Sequence, residues 1–294
     1  MQSVKQILPR LLFAGMLFSS ACGAAKAEAP SANEPVQRLV SLAPSITEVV
    51  YALDAEDRLV GRSKNCDFPA AALAVESVGR IDMPNLEKIV SLNPDLVVMT
   101  SLTPVDVMRR LEDLGMRVVR LRADRLQDIT EALQRVGALL DQNAEAEWMV
   151  GLFAGALADL TAKGEAHAGA APRACILYGC DAPYFSAGKG TFPSALVERA
   201  GFSNIANTAP VAWPQLDLEW LIRQNPEVIF IAGDGAAGSG ELELQRLQSS
   251  ALWSQVLAIR NGRVYFIGDN ALSVPGFRAL EALHQFSEVR AEFP

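Results

Sequence analysis

Histidine is nearly missing from this chain: among 294 residues only His167 and His284 carry an imidazole. Capture of free zinc or manganese needs a converging set of His, Asp and Glu ligands. Neither histidine has a second one nearby, so no metal site is expected. The same scarcity works against a catalytic proton relay. No nucleophile–base–acid set stands out, and Gly188-Lys189-Gly190-Thr191 lacks the preceding glycine spacing of a phosphate loop. Gly233–Gly240 is rich in Gly, Ser and Ala and reads as a flexible connection. No catalytic residue and no cofactor are therefore expected, and an exported α/β enzyme stands as the alternative from another class. Basic runs are absent and the net charge is −8, which argues against nucleic acid as the main partner. Past the first 27 residues no apolar run is long enough to span a bilayer. Cysteine is sparse. Cys175 and Cys180 are close enough in sequence for a bridge in an oxidising compartment, and Cys66 reads as a small packed hydrophobe.

What is present begins with an export signal. Lys5 and Arg10 precede the apolar stretch Leu11–Phe18, and small residues follow, the pattern of a cleaved leader. Two processing routes fit: cleavage after Ala27, or lipidation at Cys22 in Ser19-Ser20-Ala21-Cys22. The expected location is the periplasm, with the mature chain soluble or lipid-anchored through Cys22.

After a leader at 28–35 the chain alternates short apolar runs with amphipathic segments. Strands are expected at Arg38–Leu42, Leu59–Gly61, Asp95–Met99 and Arg117–Leu121. Pro44-Ser45 opens a helix with Ser45 and Glu48 as a capping box, and Thr103-Pro104 supplies a cap and a first-turn proline for a helix at Val105–Leu114. From Leu126 to Lys163 apolar residues recur at helical spacing, as one long helix or two end to end, with Trp148 read as core. Gly164–Pro172 reads as a flexible surface segment. Then strands at Ala174–Tyr178, Val228–Ala232 and Val264–Ile267 alternate with helices at Pro193–Ala200 and after Pro275-Gly276, and Trp220 is read as core. Strands separated by helices imply α/β architecture with mostly parallel sheets.

An internal repeat organises the whole. Asn85 at a helix-cap position, Leu86-Glu87, Ile89-Val90 and Asn93-Pro94-Asp95-Leu96 are echoed by Asp217, Leu218-Glu219, Leu221-Ile222 and Asn225-Pro226-Glu227-Val228, always at the same offset. Gly115-Met116-Arg117-Val118 and Gly262-Arg263-Val264-Tyr265 form a looser second echo. The expected organisation is a signal peptide at 1–27, an N-terminal α/β lobe at 36–124, a helical connector and loop at 125–171, and a C-terminal α/β lobe at 172–294. Two Rossmann-like lobes joined by a long helical backbone would hold a ligand in the cleft between them, near strand C-termini.

Residues Arg38–Glu48, Gly61–Pro69, Asn85–Val98, Tyr184–Lys189, Val211–Gln215 and Asn225–Ile231 resemble class III periplasmic solute-binding proteins of ABC importers. Asp67-Phe68-Pro69 and Val211-Ala212-Trp213-Pro214-Gln215 look most like the cobalamin-binding branch. The resemblance implies a monomer that captures cobalamin or a related corrinoid and delivers it to an ABC transporter permease dimer. It implies ligand contacts at Trp213, Phe185, Tyr184, Asp269, Asn65, Ile81 and Ser45, although Asn65 and Ile81 stand where cobalamin binders carry aromatics. Glu87 and Glu219 match the pair that faces permease arginines, while each also complements its own helix dipole. A ferric siderophore or haem, the latter with Tyr184 as an axial candidate, is the alternative ligand.

Overall fold

Val-, Ile- and Leu-rich runs favour parallel strands covered by helices, and four short strands build the first sheet, the last of them an edge strand that is only partly buried. In the computed structural model, which describes residues 36–167, 169–233 and 239–293, they are β1 (Leu39–Ser41), β2 (Leu59–Arg62), β3 (Leu96–Thr100) and β4 (Val118–Leu121). They lie in the order β2-β1-β3-β4, all parallel, with Leu39 opposite Leu96 and Val97 opposite Val118. Helices α1 (Pro44–Ala52), α2 (Leu86–Ser91) and α3 (Val105–Asp113) connect them. Val40, Leu42, Val78, Ile89, Val97, Met99, Val107 and Leu111 form one buried cluster there.

The long helical region is two helices, α4 (Leu126–Leu139) and α5 (Asn143–Glu165), separated where Asp141 takes a φ of +57°. Beyond it comes a second sheet with β5 (Arg173–Tyr178), β6 (Tyr184–Phe185), β7 (Ser203–Asn204), β8 (Gln215–Leu216), β9 (Val228–Ala232) and β10 (Val264–Ile267). Its order is β10-β9-β5-β6-β8, with β7 paired to β5; β6 is antiparallel to both neighbours and the other pairs are parallel. The helices are α6 (Phe192–Arg199), α7 (Leu218–Gln224), α8 (Ser239–Ser249), α9 (Leu257–Arg260), α10 (Asp269–Ser273) and α11 (Ala279–Arg290). The chain divides into two compact units: one runs through Ala123 and adds Ile129–Gly151, the other takes Asp124–Asp128 and Leu152 onward.

The repeat is deeper in three dimensions than in sequence. Asn85 accepts the Lys88 amide at 3.0 Å and Asp217 accepts the Trp220 amide at 2.6 Å, so both helices have side-chain N-caps. Ile89 and Leu221, at matching positions, are fully buried. Asn93 and Asn225 both turn the chain with φ of +46°, the left-handed region that asparagine tolerates. Asp95 then gives its amide to the Arg38 carbonyl and accepts the Arg38 amide on its carboxylate, both at 2.8 Å. Glu227 does the same with Arg173, at 2.8 and 3.0 Å. Arg117 and Arg263 close the second echo, their carbonyls accepting from Val97 and Ile229 at 2.9 and 3.0 Å.

Several local expectations need correction. Pro44 is the first residue of α1, so Ala43 is the N-cap; Ser45 lies inside the helix, and it and Glu48 are buried and form no capping box. Pro104 is itself the N-cap of α3, and the buried Thr103 hydroxyl has no partner among the described residues. Gly164 is not in a loop: it ends α5 against α6, where a Cβ would overlap the Arg199 carbonyl. Trp148 is 60% exposed, because the buried stripe of α5 runs through Ala146, Met149, Phe153, Ala156 and Leu160, and Trp148 falls off it by a helical step. Trp220 is partly buried against the second core. Cys66, Cys175 and Cys180 are all free thiols, so the Cys175–Cys180 bridge does not form. The leader at 1–27, Cys22 and most of the Gly233–Gly240 loop lie outside the described residues.

Candidate functional site

β5 ends on Tyr178, and the chain turns at Gly179 with a φ of +96°, where glycine carries no steric cost. It returns as β6, so that Tyr178 pairs with Phe185, and Phe185 pairs with Gln215 of β8. The ladder keeps its register past the named strands. The Ser186 amide donates to the Pro214 carbonyl at 2.9 Å, and the Gly188 amide to the Ala212 carbonyl at 2.7 Å. Because side chains alternate across a strand, Phe185 and Trp213 share one face while Tyr184 and Leu216 share the other.

Burial follows that alternation. Phe185 is 46% exposed and Trp213 45%, whereas Leu216 is buried. Tyr184 is half-buried against the core and stands edge-on to Trp253, ring centroids 5.3 Å apart. Trp213 in turn stands edge-on to Tyr178 at 5.8 Å. Gly188 lets the Val211–Trp213 loop come this close: a Cβ there would sit 2.8 Å from the Ala206 carbonyl oxygen and 3.3 Å from those of Val211 and Ala212. The outcome is a half-exposed aromatic wall held by a backbone ladder, suited to the face of a flat, largely apolar ring. Tyr178 is a candidate site residue that the sequence alone did not single out. Its signal was an aromatic residue closing a parallel strand just before a glycine, where α/β sheets gather their ligands.

The first unit brings Asn65 and Ile81 together: the Asn65 Oδ1 accepts the Ile81 amide at 3.1 Å. The Lys64 amide donates to the Gly79 carbonyl at 2.6 Å, so the two loops run tied along each other. Beside them the Arg80 guanidinium holds the Asp82 carboxyl below the usual carboxylate range. Asn65 is exposed, Ile81 half-buried, and Ser45 only 5% exposed. Asp269 opens α10, and its side chain lies outside the described ones.

Glu87 and Glu219 each occupy the second position of an N-capped helix, and both are exposed. Their surroundings differ. Glu87 lines an open groove of about 600 Å³ with Leu86, Val90, Arg110 and Leu114, whereas Glu219 reaches Arg223 at 4.0 Å. Among the described residues no group of three or more His, Cys, Asp or Glu converges as a metal site. Burial pushes the Cys175 thiol up to about 12; burial, and then Glu243, does the same to Cys180. No helix of the described residues is long and apolar enough to cross a membrane.

A family model described as periplasmic binding protein matches residues 39–271. A vitamin B12-binding protein of Pectobacterium atrosepticum is 30% identical over 260 residues, covering 87% of this chain and 89% of its own. The crystal structure of the periplasmic vitamin B12 binding protein BtuF of Vibrio cholerae superposes with a TM-score of 0.76 at 25% identity, covering 88% of this chain and 98% of that one. A periplasmic haem-binding protein from Pseudomonas aeruginosa gives 0.74 at 26% identity, covering 88% and 92%.

Proposed function

This chain belongs to the periplasmic binding protein family, and from that premise we propose that it captures cobalamin or a related corrinoid and delivers it to an ATP-driven importer. The observation that carries the ligand is the pair Trp213 and Phe185, two large aromatic side chains left half in water on one face of a rigid ladder. Two such rings side by side on one face make an apolar patch of the kind that marks a ligand-binding surface. Vitamin B12-binding relatives at 30% identity over most of the chain support the same class. Asn65, Ile81, Ser45 and Asp269 are retained as further contacts, and Glu87 with Glu219 as the carboxylates that meet the importer.

Haem is the second reading, favoured by the haem-binding neighbour at 26% identity and by the same aromatic wall, which accepts any flat tetrapyrrole. Tyr184 is a poor axial ligand for it, being turned onto Trp253. Calorimetric titration of the mature protein decides between them. Cyanocobalamin should bind with a Kd between roughly nanomolar and micromolar, about −12 to −8 kcal/mol, and Trp213→Ala should weaken it by about fivefold or more. Saturation by haemin or a ferric siderophore alone would overturn the corrinoid assignment.

A further inference from the structure

We infer that Tyr178 is the positioning residue of the aromatic wall: it fixes the plane of Trp213 and ties that plane to α10. Tyr178 touches four segments at once. Its backbone is held between two strands, paired with Ala232 of β9 on one side and Phe185 of β6 on the other. Its hydroxyl donates to the Leu272 carbonyl at 2.8 Å. Leu272 is fully buried in the last turn of α10, where helical carbonyls have no partner within the helix. A phenol anchored at Cα and at Oη has little freedom to rotate, and its ring meets Trp213 at 63° and 5.8 Å.

Trp213 depends on that contact. Its loop is bonded to the ladder through Ala212 and Pro214, but those are backbone links on either side of it and do not themselves set the indole plane. The edge-on partner selects one orientation, a geometry that aromatic pairs prefer. Phe185 follows Tyr178 directly across the ladder, so both exposed rings are referenced to this one tyrosine. Any tilt of α10, which begins at Asp269, is carried through the Oη hydrogen bond to the wall. In this assignment Tyr178 acts on the ligand chiefly through Trp213.

The affinity part of this assignment rests on the corrinoid reading; the conformational part does not. Tyr178→Phe keeps the ring and removes the tie to Leu272, and Tyr178→Leu removes both. Acrylamide quenching of tryptophan emission in the ligand-free protein, taken as the difference from the same substitution in a Trp213→Phe background, isolates Trp213. Both variants should raise that difference signal, Tyr178→Leu more. Cyanocobalamin affinity should fall roughly three- to tenfold in Tyr178→Leu and should not fall further when Trp213 is already alanine. A purely structural role would instead cost the same in both backgrounds, and that result overturns the assignment, as does quenching unchanged in Tyr178→Phe and Tyr178→Leu. If the parent fails to bind cyanocobalamin, the corrinoid reading fails and the quenching result alone decides for or against Tyr178. Should Tyr178→Leu not fold, the Tyr178→Phe quenching change decides in the same way.

Discussion

The sulfur of Cys175 lies 3.9 Å from the Ser186 hydroxyl in a fully buried site, and desolvation lifts its pKa to about 12 while the serine pulls slightly back. In the unfolded chain the same thiol titrates near 8.5. Between those values the folded state keeps a proton that the unfolded state has released, so stability falls as pH rises from roughly 8.5 toward 12, by up to ~1.4 kcal/mol per pH unit. Urea denaturation at pH 8 and at pH 10 should show this loss, and Cys175→Ala should make it shallower without abolishing it, since burial raises Cys66 and Cys180 as well; identical slopes for parent and variant would refute the account. Sequence showed that Cys175 and Cys180 were near neighbours, but not that one ends up inside a strand and the other beyond its turn. The same limit applies to Tyr184 and Phe185. As adjacent aromatics they look equivalent, and only the register of a two-residue strand sends one inward and the other outward.

Helix–turn–strand units were readable because polar residues mark their joints. Asn85 and Asp217 start the helices, Asn93 and Asn225 turn them, and Asp95 and Glu227 return each strand to its neighbour. Each role needs a particular short polar side chain, which leaves a pattern in the sequence. Joints made by proline were misread only at the cap: the helices begin at Pro44 and Val105 as expected, but their N-caps are Ala43 and Pro104, and neither Ser45 nor Thr103 caps. β6, β7 and β8 left no pattern, since two residues are too few for any period to show. The matched caps carry a prediction. Asn85→Ala and Asp217→Ala should each lower stability by about 1 kcal/mol. They belong to different units and share no hydrogen-bond partner, so the double variant should show the sum. Thermal or urea denaturation of the three variants checks it, and a strongly non-additive pair would show that the caps are not independent.

Across the whole chain, the two halves present the same carboxylate on different ground. Exposed ion pairs are individually weak, so Glu87 and Glu219 should govern orientation and encounter with a cationic partner more than ligand capture. Glu87→Ala combined with Glu219→Ala should leave cyanocobalamin affinity unchanged while uptake in a reconstituted importer drops; undiminished uptake would remove both residues from the partner surface. The course of the chain has a practical corollary. Residues 124–128 belong with the second unit although they precede 129–151 of the first, and the Asp124 carbonyl there accepts the Phe192 amide at 2.9 Å. No single scission therefore yields two complete halves. A break after Gly151 would leave Phe192 without that acceptor, and a break after Ala123 would strip the first unit of its closing helices, so recovery of activity from severed pieces should require both to be present during refolding.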